Sequence, residues 1–301
     1  MDDIQLAVGI FYLVFPWIGF PVYARIIYIF LSRKDYRQME CYRIMTLMGI
    51  IQCMTTAPTY SLGGLVHVLG YDPFWIASTV AKTFPGGFRA EAALSLVLAL
   101  NRLRIICELH YPRTIHYVLV LLSVVVSFSY STALFFPRCG FGFIPGVYLG
   151  IYQIESEQCE WIVFIGSLLI LIPSIITFLI YVVIILYLIR LKLKTSIRHG
   201  LSDELRILFY ALLRFSVDFS LEMVFHYAGL PHIPIYDIPQ TVAVVFSGIY
   251  LSPMMYLILS KQLRQKFLRN SNETEVIKIS APTNVRIPNR NYTVEQQPRF
   301  A

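Results

Sequence analysis

Seven apolar stretches, each long enough to cross a bilayer, divide this chain near residues 5 to 31, 44 to 69, 76 to 105, 114 to 136, 161 to 189, 206 to 229 and 239 to 260. About 20 residues of helix cross roughly 30 Å of hydrocarbon, and only helices or closed barrels satisfy their own backbone there. The pattern therefore predicts an all-α membrane protein, a seven-transmembrane helix bundle. Composition agrees, with 56% hydrophobic and 14% charged residues, where a soluble domain carries about 25% charge.

The charges between the stretches sort by side. The linkers after the first, third and fifth spans, with the C-terminal segment, hold most of the 25 Lys and Arg, including Arg33, Lys34, Arg37, Arg43, Arg102, Arg104, Arg113, Arg190, Lys192, Lys194 and Arg198. The opposite side keeps Arg138. Basic residues resist translocation, so the N-terminus is expected outside and the basic linkers in the cytoplasm. The net charge of +7 then lies beside anionic inner-leaflet lipid, which accounts for it; nucleic acid is not an expected partner. Asp2 and Asp3 stand where a cleaved signal peptide carries bases, and the first span reads as an uncleaved signal anchor.

Of the five cysteines, Cys139 and Cys159 face outside and bracket the segment FGFIPGVYLG. A bridge between them would close a loop of about 20 residues, worth roughly 3 kcal/mol in the chain-entropy model; two free thiols are the alternative. Residues 1 to 269 form the expected transmembrane domain. Beyond it the sequence turns polar, and 270 to 301 reads as a disordered cytoplasmic tail whose sequons at Asn272 and Asn291 are not expected to be glycosylated. Just before that tail, SKQLRQKFLRN places Leu259, Leu263 and Phe267 at i, i+4 and i+8, with Lys261, Arg264, Lys266 and Arg269 on the remaining arc. This suits a short amphipathic helix on the inner leaflet.

The most unusual chemistry lies inside the spans. The third contains Lys82, Arg89 and Glu91, and the sixth Arg214, Asp218, Glu222 and His226. Each charge costs roughly 2.5 to 3.5 kcal/mol near the bilayer centre, so these groups must be paired, hydrated or neutral. The i, i+4, i+8, i+12 spacing in the sixth span drifts about 40° per step and forms one polar stripe. Depth along the helices matches Arg89 with Asp218 and Lys82 with Glu222. Register-fixing salt bridges, a polar ligand pocket or switch, and a proton or substrate path all remain open readings.

Two motifs at the cytoplasmic ends carry a resemblance. The third span ends LSLVLALNRLRIIC and the seventh IYLSPMMYLILSKQLRQKF. Asn101-Arg102-Leu103 resembles the acidic-Arg-Tyr motif of G-protein-coupled receptors, and Ser252-Pro253-x-x-Tyr256 their Asn-Pro-x-x-Tyr motif. MECYRIMTLMGIIQ, ALNRLRIIC and YLILSKQLR are also similar to nematode serpentine chemoreceptors of the Srt-type group, over residues 1 to about 269. The resemblance implies a plasma-membrane receptor of sensory cells, in their cilia, that binds a small environmental ligand and signals through a heterotrimeric G protein. Coupling and switching would fall to Asn101, Arg102, Ser252, Pro253 and Tyr256, with Asp203 or Glu204 as lock partners for Arg102. Phe84, Phe88, His226 and Tyr227, in the outer halves of the third and sixth spans, are the ligand candidates. The chain departs from the class at Gln52, where an acid is usual, in having no cysteine opening the third span, and in having no proline in the sixth.

Other classes fit less well. A retinal pump needs a lysine in its last span, and 239 to 260 has none. A metallohydrolase needs clustered ligands, whereas His67 and His226 lie on different spans; no metal, cofactor or enzymatic activity is expected. A seven-span transporter, small-molecule or proton-coupled, is the alternative, supported by the buried charges but by no paired halves or broken helices.

Overall fold

The computed structural model describes residues 3–112, 114–136, 138–194 and 201–268, without the side chains of 191–194, 201–211 and 259. The expected tail, its two sequons, and Asp203 and Glu204 as lock partners lie outside these described groups, as do most side chains of the basic loop 190–205.

Seven spans form the bundle. The first is α1 (Asp3–Ser32); a short α2 (Lys34–Arg37) leads into the second, α3 (Glu40–Leu69). The third is divided into α4 (Ile76–Ala81) and α5 (Thr83–Ile106), and the fourth is α6 (Thr114–Ala133). The fifth and sixth are α7 (Glu157–Lys194) and α8 (Leu201–Tyr227). The seventh runs through α9 (Pro234–Val245), a π-helical turn (Phe246–Leu251) and α10 (Ser252–Leu259), and α11 (Lys261–Leu268) follows it. Among the described residues, four helices or helix runs are long and apolar enough to count as spans by hydropathy alone, from the first, fourth, fifth and seventh spans. The second and third fall short because they carry the bundle's polar and charged residues.

Burial is inverted relative to a soluble protein. Ile10, Leu121, Phe128 and Leu179 are exposed, whereas Thr59, His67, Thr177 and Thr241 are buried. Apolar side chains facing outward and polar ones facing the bundle are what a hydrocarbon solvent selects. Hydroxyls within the spans fold back onto their own helix: Thr46, Thr55, Ser123 and Ser127 donate to the carbonyls four residues earlier, at 2.7 to 2.8 Å. That bond satisfies a polar group without a partner helix.

The first and second spans cross closely. A Cβ placed on Gly64 would sit 2.6 Å from the Gly9 carbonyl oxygen and the Leu13 nitrogen, so only glycine lets these backbones meet. Gly70, at φ 77°, ends α3 in the left-handed cap conformation. Asp72 then caps α4, its carboxylate accepting from the Ala77 and Ser78 amides at 3.0 and 2.8 Å. An acidic side chain at a helix N-terminus answers both the free amides and the dipole.

The longest outer loop is a β-hairpin, β1 (Cys139–Ile144) and β2 (Val147–Ile154), antiparallel, with Ile144 opposite Val147 across Pro145-Gly146. Gly146 has φ 87°, the sign a type II turn requires after proline. A disulfide joins Cys139 to Cys159 at the start of α7, with Cα atoms 5.2 Å apart. The hairpin lies across the bundle's outer end: the Tyr148 carbonyl accepts from Tyr12 of the first span at 3.1 Å and from Thr241 of the seventh at 2.8 Å.

At the other end, α11 lies against the first span. Leu263 is buried, and Arg25 donates to the Phe267 carbonyl at 2.7 Å with its guanidinium over that ring. Lys266 stacks on Tyr36 and reaches Asp35 at 3.5 Å. The amphipathic pattern is thus a packed helix over Lys261–Leu268, with Leu263 inward and Leu268 outward.

Candidate functional site

Two polar layers are stacked in the middle of the bundle. Arg214 of α8 centres the deeper one. Its guanidinium is ion-paired with Glu91 of α5 and donates to Asp218, one turn along α8, at 2.7 Å. It also donates to the Ser247 carbonyl at 2.9 Å and the Ser252 hydroxyl at 2.5 Å. The Ser247 hydroxyl in turn donates to Asp218 at 2.5 Å. One side chain thereby ties the third, sixth and seventh spans together. Nearby, Tyr23 of the first span donates to Gln52 of the second at 2.5 Å.

The seventh span's local chemistry makes that clasp available. Pro253 offers no N–H to the preceding turn, and that turn, Phe246–Leu251, is wound as a π-helix. π-turns concentrate where a helix presents backbone groups to a partner; here the Ser247 carbonyl is used by Arg214. Tyr256, one turn beyond Pro253, is buried among Phe30, Tyr23 and Met45. A cavity of about 60 Å³ runs alongside the clasp, lined in part by Glu91, Arg214, Asp218, Tyr181 and Tyr256.

The outer layer forms around Arg89, two residues from Glu91 and about 200° around the helix. Arg89 is buried, donates to its own Pro85 carbonyl at 2.7 Å and to Tyr152 of the hairpin at 3.3 Å, and lies over the Tyr130 ring at 3.7 Å. Its Nε has no hydrogen-bond partner. Across the cavity, Glu222 is buried with His226 Nε2 3.1 Å from Oε1, an oxygen that makes no hydrogen bond of acceptable geometry. Tyr60, Phe84, Phe88, Phe141, Phe225 and Tyr152 complete the wall of a cavity of about 40 Å³.

The structure places the sequence-selected residues unevenly. Glu91, Arg214 and Asp218 share one network, and Ser252 joins it. Arg89 and Glu222 line the outer cavity together instead. Depth had matched Arg89 with Asp218 and Lys82 with Glu222; those pairings do not form. Asp218 is taken by Arg214, and Lys82, at the break between α4 and α5, stacks on Phe135 at 4.7 Å. Of the ligand candidates, Phe84, Phe88 and His226 line the outer cavity, whereas Tyr227 is exposed and outside its lining. Ser247, Tyr130 and Tyr152 were not singled out by sequence reasoning; the polar breaks in FSGIYLSP and the hairpin's alternation were the available signals.

At the inner end, Asn101 is buried with its Oδ1 unpartnered, and Arg102 donates to the Cys41 sulfur at 3.1 Å. Glu40, His116 and Tyr111 form a chain of 2.8 Å contacts, and Tyr111 donates on to the Leu100 carbonyl at 3.1 Å. Burial raises the Tyr111 phenol above its ordinary pKa, so it stays a neutral donor. Glu40, Cys41, Asn101, Arg102 and Tyr111 border an open groove of about 1020 Å³.

The bundle is similar to squid rhodopsin, with a TM-score of 0.71 over 88% of this chain and 84% of that one, at 13% sequence identity. No protein-family model and no curated protein matches the sequence. The likeness defines the class by fold: a seven-helix membrane protein with the architecture of G-protein-coupled receptors.

Proposed function

We propose that this chain is a chemoreceptor that binds a small environmental ligand among its outer helix halves and signals through a heterotrimeric G protein from the plasma membrane. The observation that carries the reading is the Arg214 clasp, which holds the third, sixth and seventh spans together directly beneath a cavity roofed by the hairpin. Such a receptor needs two arrangements of its inner helix ends and a ligand that favours one of them. A ligand entering between Arg89 and Glu222 touches the same two helices, α5 and α8, that carry Glu91 and Arg214. It biases the clasp by moving either helix through less than a turn.

Asn101-Arg102 and Ser252-Pro253-x-x-Tyr256 resemble the coupling motifs of G-protein-coupled receptors and would serve that role here, and the likeness of MECYRIMTLMGIIQ, ALNRLRIIC and YLILSKQLR to the nematode serpentine group supports a sensory, ciliary site of action. Residues 1 to 269 would act as one receptor domain, with the lipid bilayer as its solvent.

Pooled volatile and soluble compounds, screened for guanine-nucleotide exchange on co-expressed G proteins, test the reading with wild type and Arg102→Ala. A compound-dependent signal lost in the variant supports it. A compound carried across vesicles with counterflow and no exchange assigns the chain to a transporter instead.

A further inference from the structure

We infer that the outer cavity is built for a small uncharged ligand bearing a hydrogen-bond acceptor and a hydrogen-bond donor on neighbouring atoms, as a primary amide does, on a short apolar body. The inference rests on the receptor reading for its biological meaning and on the cavity's own chemistry for its content.

Three features of the site converge on this class. First, two buried charged side chains reach the cavity from different spans, and each keeps an atom without a hydrogen bond of good geometry: Arg89 Nε as a donor and Glu222 Oε1, 3.1 Å from His226 Nε2, as an acceptor. Buried polar atoms without partners are costly and uncommon, and a ligand supplying one acceptor and one donor satisfies both. Second, guanidinium and carboxylate together sum to zero charge. A net charge on the ligand would enter a space walled by Tyr60, Phe84, Phe88, Phe141 and Phe225 without a counterion of its own. Third, the cavity measures about 40 Å³, far below the 300 to 1,000 Å³ of drug-sized sites, so the apolar body must be short.

The division of labour follows from the geometry. A carbonyl oxygen accepts from Arg89, the adjacent N–H donates to Glu222, and the aliphatic part lies against the aromatic walls. A ketone of the same length leaves Glu222 without a donor, which weakens binding by about tenfold, whereas an alcohol must serve as acceptor and donor from a single oxygen and so spans the two groups less well than an amide. A carboxylate of the same length replaces the N–H with a second acceptor facing Glu222, which repels it.

The test is binding to the purified full chain in lipid nanodiscs, read by saturation-transfer NMR and competition, with butyramide, 2-butanone, 2-butanol and butyrate as probes. Expected is butyramide tightest, the ketone about tenfold weaker, the alcohol between them, and butyrate undetected. In Glu222→Gln, which preserves shape but leaves Arg89 uncompensated, the order should reverse between butyramide and butyrate. Equal binding of all four probes, or butyrate tightest in the wild type, overturns the inference. Butyramide binding without nucleotide exchange leaves the cavity's chemistry standing and removes the receptor reading, whereas exchange driven by butyrate alone does the opposite.

Discussion

Arg214 and Glu91 form a buried ion pair between the sixth and third spans, and the same guanidinium holds Asp218, the Ser247 carbonyl and the Ser252 hydroxyl. An Arg fork is suited to this because it presents several donors in a fixed plane. Removing Arg214 leaves two carboxylates buried without their cation, which costs about 3 to 5 kcal/mol, whereas removing Glu91 leaves Arg214 paired with Asp218 and costs less.

Glu91→Leu and Arg214→Leu should therefore each lower the thermal unfolding temperature of the purified protein clearly. The double variant should lose less than the sum, since the Glu91–Arg214 contact is lost only once and Asp218 alone is left without its cation. Thermal unfolding of all four forms in one detergent checks this; strict additivity would mean that the two residues do not interact.

Gly64→Leu should be among the most damaging changes in the first two spans. Its side chain would meet the Gly9 carbonyl and the Leu13 backbone, not a flexible neighbour. Overpacking of this kind costs about 1 to 3 kcal/mol or more. Reduced yield of folded protein on size exclusion and a lower unfolding temperature are expected, whereas Gly146→Ala, in the open hairpin turn, should be felt only through its positive φ.

Opening the Cys139–Cys159 bridge by Cys139→Ser should loosen the hairpin without unfolding the bundle. A closed loop of about 20 residues contributes roughly 3 kcal/mol by chain entropy, and among the described residues β1 and β2 pair only with each other. Faster amide exchange across 139–154 with unchanged exchange in α7 is the expected signature. Under non-reducing conditions wild-type Cys139 and Cys159 should resist alkylation that reaches Cys107.

Arg25→Ala should release the end of α11. The lost contacts are the bond to the Phe267 carbonyl and the stacking on its ring, worth about 0.3 to 1 kcal/mol at a helix C-terminus. Amide exchange in 261–268 should quicken severalfold while Leu263, still buried, keeps the helix in place. Unchanged exchange would show that Leu263 alone anchors it.

How far the sequence reached can be judged at individual residues. The seven spans and a short amphipathic C-terminal helix follow from hydropathy and an i, i+4, i+8 ridge, all local properties, whereas cysteine placement left the outer pair open between a bridge and two free thiols, and the ridge did not show that α11 packs on the first span. The stripe Arg214, Asp218, Glu222, His226 was legible for the same reason. Its partners were not, because depth arithmetic ignores azimuth: Arg89 and Glu91, two residues apart, face nearly opposite sides of α5 and so cannot serve one cluster. The third span was read as continuous, and its break at Lys82 swings that side chain onto Phe135. The hairpin was read as a loop, although FGF and YLGIY around Pro-Gly carry an alternating pattern; short strands between two long spans are outweighed by the helical signal on either side. The seventh span's π-turn precedes Pro253 and gives its Ser247 carbonyl to Arg214, and a distant side chain leaves no local trace.

The most direct test of the Arg214 clasp as the receptor's switch is basal guanine-nucleotide exchange on co-expressed G protein, in membranes holding equal amounts of folded wild type or Glu91→Gln. Glutamine keeps the shape and one acceptor but removes the charge that holds the third span to the sixth, so ligand-independent exchange should rise severalfold. Basal exchange equal to wild type, with the same surface expression and unfolding temperature, would contradict the account and leave the clasp a structural fastening.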